Sequence, residues 1–210
     1  MLHQLINIPR DEHFYVACSG GVDSMAIASF YKLGNKKFTL AYFNHGTQQA
    51  NSMEKHVLEW GMKNDVPVVV GTINDARTLG KGHSPEEYFR TCRYEWFDKL
   101  PVSSIVTCHH LNDVAETWIF SNLHGEAKLI ASRRGRFLRP FLTTPKENLT
   151  EWCLRHGVDW VEDRSNDDLN IPRNLIRHVI LPQSLKINPG LLKVLRKKLL
   201  AREKNINGNG

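Results

Sequence analysis

Ser19-Gly20-Gly21-Val22-Asp23-Ser24 is the stretch of this chain best suited to hold an anion. Two adjacent glycines let the backbone close around a phosphate with no Cβ in the way, and the hydroxyls of Ser19 and Ser24 can donate to its oxygens. Asp23 suits such a site if a divalent cation lies between its carboxylate and the phosphate. A serine- and aspartate-capped turn is the plainer alternative for the same six residues. A second constellation is His109-His110-Leu111-Asn112-Asp113-Val114-Ala115-Glu116-Thr117. Asp113 and Glu116 are three apart, so on a helix they share a face. Two carboxylates there hold an ammonium group or take a proton from an amine, although a helix start rich in acid accounts for them too. Arg90 and Arg93 sit among aromatics in residues 88–97, where an ordinary amphipathic helix would let them snorkel. Arg173, Asn174 and Arg177 follow a polar loop, and the two arginines, on one helical face, suit phosphate contacts or plain charge decoration.

The elements that must position these residues are legible in outline. Residues 14–17, 38–43, 66–70 and 104–108 read as buried strands: short, aliphatic or aromatic, and bounded by turn residues. Between them, residues 25–33, 52–63 and 85–99 carry apolar side chains at helical spacing. Ser84-Pro85-Glu86-Glu87 and Thr144-Pro145-Lys146-Glu147 each spell a hydroxyl cap, Pro at the first helical position and Glu three after the cap. Strand–helix alternation with short linkers predicts an α/β protein with a parallel sheet and helices on both faces. The hexapeptide follows the first strand and the His109 stretch follows the fourth, both at strand carboxyl ends, where such sheets bind ligands. From residue 144 the pattern turns to appended C-terminal helices: 144–156 stopping at Gly157, a short extended piece at 158–161, a polar loop at 162–171, then helices near 172–181 and 189–204. The expected organisation is 1–143 as the main domain, 144–204 as a helical appendage and 205–210 as a flexible terminus.

Charge and cysteine content narrow the class. The net charge is +6, and residues 186–204 alone hold seven Lys and Arg against Glu203. The excess therefore sits in one segment, as in a basic arm facing an anionic partner or a charged solvent face. The longest aliphatic run, 66–70, is far short of a membrane span, and residues 1–10 lack the layout of a secretion signal. Cys18, Cys92, Cys108 and Cys153 are too few and too widely spaced for a disulfide scaffold or a metal cluster. A cytoplasmic location and no membrane partner are expected.

Neither Gly-x4-Gly-Lys-Ser/Thr nor Gly-x-Gly-x-x-Gly occurs, which excludes the two commoner phosphate loops. Ser-Gly-Gly-x-Asp-Ser instead resembles the pyrophosphate (PP) loop of the ATP-pyrophosphatase superfamily, which implies a Rossmann-like, adenine nucleotide alpha hydrolase-like fold. Together with Asn44-His45-Gly46, Arg139-Pro140-Phe141-Leu142 and Ser165-Asn166…Arg173-Asn174…Arg177, the chain from 14 to 182 resembles the N-terminal catalytic domain of the tRNA(Ile)-lysidine synthetase family. The resemblance implies a ligase that joins free L-lysine to C2 of the wobble cytidine of a minor isoleucine tRNA, using ATP and Mg²⁺. It implies nucleotide binding by Ser19, Gly20, Gly21, Asp23 and Ser24, with Asp23 also on the metal. Asp113 and Glu116 would hold lysine, with Arg93 or Arg90 steadying the adenylated intermediate. His109, His110, Asn112, Arg173, Asn174 and Arg177 would face substrate or tRNA. Two departures stand out: residues 126–136 differ from the family's usual segment and are basic, and a compact form without the C-terminal domains of many members is expected. Cytidine thiolation and a non-catalytic tRNA-binding module are the alternatives, and a second copy of the chain is an open partner.

Overall fold

In the computed structural model, which describes residues 4–73, 85–163 and 167–208, the first strand, β1 (His13–Ala17), shows how the core is built. Phe14 and Val16 point into one apolar cluster, Tyr15 and Ala17 into another, the period of two that a strand buried on both faces requires. β2 (Lys37–Asn44) and β4 (Ile105–Thr107) divide in the same way, with Leu40, Tyr42 and Val106 on one side and Ala41 and Ile105 on the other. With β3 (Val68–Thr72), β5 (Arg133–Arg134) and β6 (Phe137–Leu138) they form a six-stranded sheet in the order β3-β2-β1-β4-β6-β5. Only the β5–β6 pair is antiparallel.

Helices α1 (Val22–Leu33) and α2 (Gln48–Lys63) follow β1 and β2, and they share a cluster with α5 (Lys146–His156). Helix α3 (Pro85–Asp98) packs Tyr94, Trp96 and Phe97 on the opposite face. The sheet grows from β1 towards β3, then resumes on the other side at β4, so the switch in direction lies between the carboxyl ends of β1 and β4. The chain adds α4 (Leu111–Leu123) after β4, and closes with α6 (Pro172–Leu175), a π turn over Ile176–Ile180, α7 (Leu181–Ile187) and α8 (Leu191–Gly208).

The α/β class, the parallel sheet and the appended helices agree with the sequence reading, and several details correct it. The β5–β6 hairpin was not expected, since two-residue strands leave no periodicity to read. Thr144 does not cap α5: its hydroxyl is buried without a partner among the described residues, and Asn112 on α4 accepts from the Lys146 amide at 3.0 Å instead. The Ser84 cap lies outside the described residues. Helix α2 begins four residues early because Thr47 caps it, accepting from Ala50 N at 3.1 Å. Residues 158–161 form no strand, yet Val161 N donates to Gly20 O at 3.0 Å. The expected basic arm is α8, docked by Leu191, Leu195 and Leu199 into a cluster with Leu111, Val114 and Ile119 of α4. That cluster joins residues on both sides of position 143. Among the described residues no helix is long and apolar enough to cross a membrane.

Gly61 lets α2 approach β3, for an added Cβ would overlap Val68 Cγ2 and stand 2.9 Å from the Val66 carbonyl oxygen. Alanine would gain about 1 kcal/mol in helix propensity but lose about 1–3 kcal/mol to overpacking against backbone that cannot move aside. Gly61→Ala is expected to destabilise the protein, measured as a lower urea midpoint with an unchanged slope.

Candidate active site

The phosphate loop lies between β1 and α1. Gly20 adopts a φ of +83°, where an L side chain is strained, and a Cβ there would come within 3.3 Å of Val57 and 3.4 Å of the Met53 carbonyl oxygen. Ser24 does not face outward. Its hydroxyl is buried, accepts from Ser19 N at 3.2 Å and donates to Gly21 O at 2.9 Å, so it shapes the loop from inside. Ser19 is exposed, its hydroxyl 3.3 Å from Ser24 Oγ, and the first-turn amides of α1 have no intrahelical acceptor.

From the other side of the switch point, α4 presents His110, Asp113 and Glu116. His110 and Asp113 form a reciprocal cap: His110 N donates to Asp113 Oδ2 at 2.9 Å, and Asp113 N approaches His110 Nδ1 at 3.4 Å. His110 Nε2 lies 3.4 Å from Asp23 Oδ2, and Nδ1 lies 3.5 Å from Asp113 Oδ2. The ring, 3% exposed, therefore bridges the phosphate loop and the acid pair. Neutral, with its proton on Nε2, it accepts the amide and donates to Asp23; charged, it faces both carboxylates. Burial pulls its pKa down, but Asp113 and Asp23 outweigh burial and hold it above the usual histidine value. Burial likewise acts to raise Asp113, and the charges of His110 and His109, with the His110 amide and Arg173, carry it down to about 2. His109 lies outside this bridge: burial lowers it to about 4, and it pairs with Thr107.

Glu116 is 2% exposed and is met by the appended helices. Arg177 Nε donates to Oε1 at 2.8 Å and Nη2 to Oε2 at 3.1 Å, while Arg173 Nε reaches Oε2 at 3.4 Å. Beside this pair lies a cavity of about 320 Å³ whose lining includes Glu116, Lys146, Glu147, Arg177, Leu181 and Leu185.

Residues 1–184 match the family described as the PP-loop domain. The chain belongs to the PP-loop family. A tRNA(Ile)-lysidine synthase of Thermotoga sp. (strain RQ2) is 32% identical over 197 residues, 87% of this chain and 47% of that protein. One of Staphylococcus aureus (strain COL) is 31% identical over 189 residues, 82% and 44% of the two chains. The chain thus spans about half the length of the curated relatives it matches. An NH3-dependent NAD synthetase from Campylobacter jejuni subsp. jejuni NCTC 11168, in complex with a nitrate ion, shares the fold with a TM-score of 0.50 at 11% identity. That match covers 93% of this chain and 87% of the other.

Around the PP-loop the structure gathers Ser19, Gly20, Gly21, Asp23, Ser24, His110, Asp113, Glu116, Arg173 and Arg177 into one continuous network. Asn112 ties α4 to α5, donating to Glu147 Oε1 at 3.4 Å as well as capping Lys146. Asn174 is buried and donates to Asp168 O at 3.1 Å, so its amide holds the preceding loop. Arg90 is exposed and lies over the Tyr94 ring at 4.9 Å. Arg93 belongs to a neighbouring group at the end of β2: after burial, its charge is the next cause lowering His45 to about 4. Ser165 and Asn166 lie outside the described residues. Sequence reading missed Lys146 and Glu147 as lining of the site and took them only for a helix start.

The His110 bridge has a pH signature. A group whose folded pKa is raised stabilises fully below its unfolded value, about 6.5, and that stabilisation is lost as pH rises through the folded value. The stability difference between the wild type and His110→Asn is therefore expected to shrink from pH 6 to pH 8.5, measured by urea unfolding at each pH. A constant difference across that range would remove the charged bridge.

Proposed function

We propose that the protein is an ATP-dependent ligase that joins lysine to the wobble cytidine of a tRNA through an adenylated cytidine, releasing pyrophosphate and AMP. The observation that carries this reading is one histidine that lies 3.4 Å from Asp23 of the PP-loop and 3.5 Å from Asp113 of the acid pair. The names of the relatives supply the substrate class, tRNA(Ile). In the reaction, the C2 oxygen of cytidine attacks the α-phosphorus of ATP and pyrophosphate leaves. An amine of lysine then attacks C2, the C2–O bond breaks, AMP leaves, and the amine gives up a proton.

Each protein group has a part in that sequence. Gly20, Gly21, Ser19 and the start of α1 hold phosphate oxygens through N–H and O–H donors. Asp23 Oδ1 is buried with no hydrogen-bond partner among the described residues, which fits a cation. Among the described residues no three His, Cys, Asp or Glu side chains are grouped to hold a metal by themselves, so the donor set suits Mg²⁺ shared between one carboxylate and phosphates. Such an ion, when bound, would offset charge on the phosphates. Asp113 and Glu116 seat the amine, and a carboxylate beside it accepts its proton. Sulfur transfer through Cys18 or Cys108 fits less well, because burial pushes both thiols up, away from the thiolate that chemistry needs. Exposed Lys193, Lys197 and Lys198 on α8 are the candidate tRNA contacts of the basic segment. The cytoplasm is the compartment this reaction implies.

With ATP, labelled lysine and an isoleucine tRNA of CAU anticodon, pyrophosphate and a lysine adduct on cytidine are expected by mass spectrometry of the nucleosides. Inorganic phosphate alone, or sulfur exchange, refutes the reading. Replacing Lys193, Lys197 and Lys198 by Gln should weaken tRNA binding and flatten log K against log salt by roughly 0.7–0.9 for each phosphate that α8 no longer neutralises. An identical slope means that α8 does not touch the tRNA.

A further inference from the structure

Helix α4 has an inner and an outer face, and the proposed reaction uses only the start of the outer one. Leu111, Val114, Ala115 and Ile119 pack inward, in the cluster shared with α8. At about 100° per residue, Asp113, Glu116, Phe120 and His124 fall in one strip on the opposite side. Asp113 and Glu116 are buried, whereas Phe120 is 43% and its neighbour Leu123 68% exposed, and His124 is exposed with them. The strip begins at the acid pair and runs out bare over the last turns of the helix.

The bare end is organised. His124 Nδ1 donates to Phe120 O at 2.7 Å, which turns the imidazole back along the helix, and the two rings lie 4.3 Å apart between centroids at 31°. Single apolar side chains on a surface are ordinary. Two rings held together, in line with a reaction site, are not scattered in that way. The patch is also narrow: Asn122, Gly125 and Glu126 beside it are exposed, whereas a stable protein interface takes about 20–30 residues a side. A ring face of this width is what an unpaired base stacks on. Phe120 stands roughly 6 Å beyond Glu116 along the helix axis, about two steps of a strand whose stacked bases rise roughly 3.4 Å each.

We propose that Phe120, backed by His124, is a stacking platform for an unpaired anticodon-loop base one or two positions from the wobble cytidine. It holds the loop in register while the cytidine reacts at the other end of the strip. This rests on the reading that the substrate is a tRNA. Every base has a face to stack, so the platform contributes affinity and position rather than base identity. An aliphatic side chain at the same place would keep the apolar contact with His124 but offer no ring to the base, and that difference separates a platform from a brace for the helix end.

The test is binding of an isoleucine tRNA of CAU anticodon to the full chain, read by fluorescence anisotropy. Phe120→Leu is expected to weaken tRNA binding about tenfold, in the range of one lost base–aromatic stack, while Phe120→Tyr binds as the wild type does and ATP affinity is the same in all three. Equal tRNA binding by Phe120→Leu and the wild type overturns the platform, as does an equal loss in the Leu and Tyr variants. A measurement on the wild type guards against a variant that misfolds: 4-thiouridine placed one or two positions either side of the wobble cytidine should crosslink to residues 118–124, and crosslinks confined to other segments count against the platform. The two layers come apart cleanly. A wild type that does not bind the tRNA removes the proposed reaction and the platform together. Lysine ligation by the wild type, with undiminished binding by Phe120→Leu, removes the platform alone. A shift in sedimentation of Phe120→Leu with tRNA binding intact makes the strip a contact between copies of the chain instead.

Discussion

Glu116 is an ion taken almost wholly out of water, and Arg177 answers it with two charge-assisted hydrogen bonds. Such pairs roughly break even against their desolvation, while losing one partner costs about 3–5 kcal/mol. The pair therefore contributes position more than net stability. It fixes the helix after β4 against the helices that follow residue 172, elements that the sheet alone does not bring together. From Glu116 the same line of charge runs through the arginines to Asp113, through His110 to Asp23, and so into the phosphate loop. Loop, acid pair and appended helices thus share one electrostatic frame.

The loop itself is shaped before any ligand arrives. Ser24 commits its hydroxyl to Gly21 and Ser19, Gly20 takes the left-handed backbone that its crowded position allows, and Val161 anchors the Gly20 carbonyl from a distant stretch of chain. Donors aimed at one place and held there need no rearrangement when charge develops, which is the physical basis of electrostatic catalysis. A serine that would serve as a phosphate donor on sequence grounds is here part of the mould.

What could be read in advance follows from how local each signal is. Strands β1 to β4 are short runs of aliphatic and aromatic residues, and the loop hexapeptide with the Asp113/Glu116 spacing is local too, so the sheet and the two halves of the site were legible. The arginines were legible as a pair, but not their partners: Glu116 lies 57 and 61 positions away, and opposite charges that far apart announce nothing in sequence. Burial was equally hidden. The resemblance turned His110 and Asn174 towards substrate or tRNA, and nothing local to either residue announced that both are buried, His110 between carboxylates and Asn174 on the Asp168 carbonyl. The cap of α5 shows the same limit, since the local Thr-Pro-Lys-Glu pattern was complete and a side chain from another helix took its place.

Segments from far apart in the chain meet at α8. Asn7 donates to both Ser132 and Glu203, the latter 196 positions along, and Arg202 holds the carbonyls of Leu129 and Ile130. Contacts of such separation carry a large loop-closure entropy and form late as a chain folds. Docking of α8 therefore closes loops of more than seventy residues at once, and it covers the apolar face of the same helix that carries the acid pair.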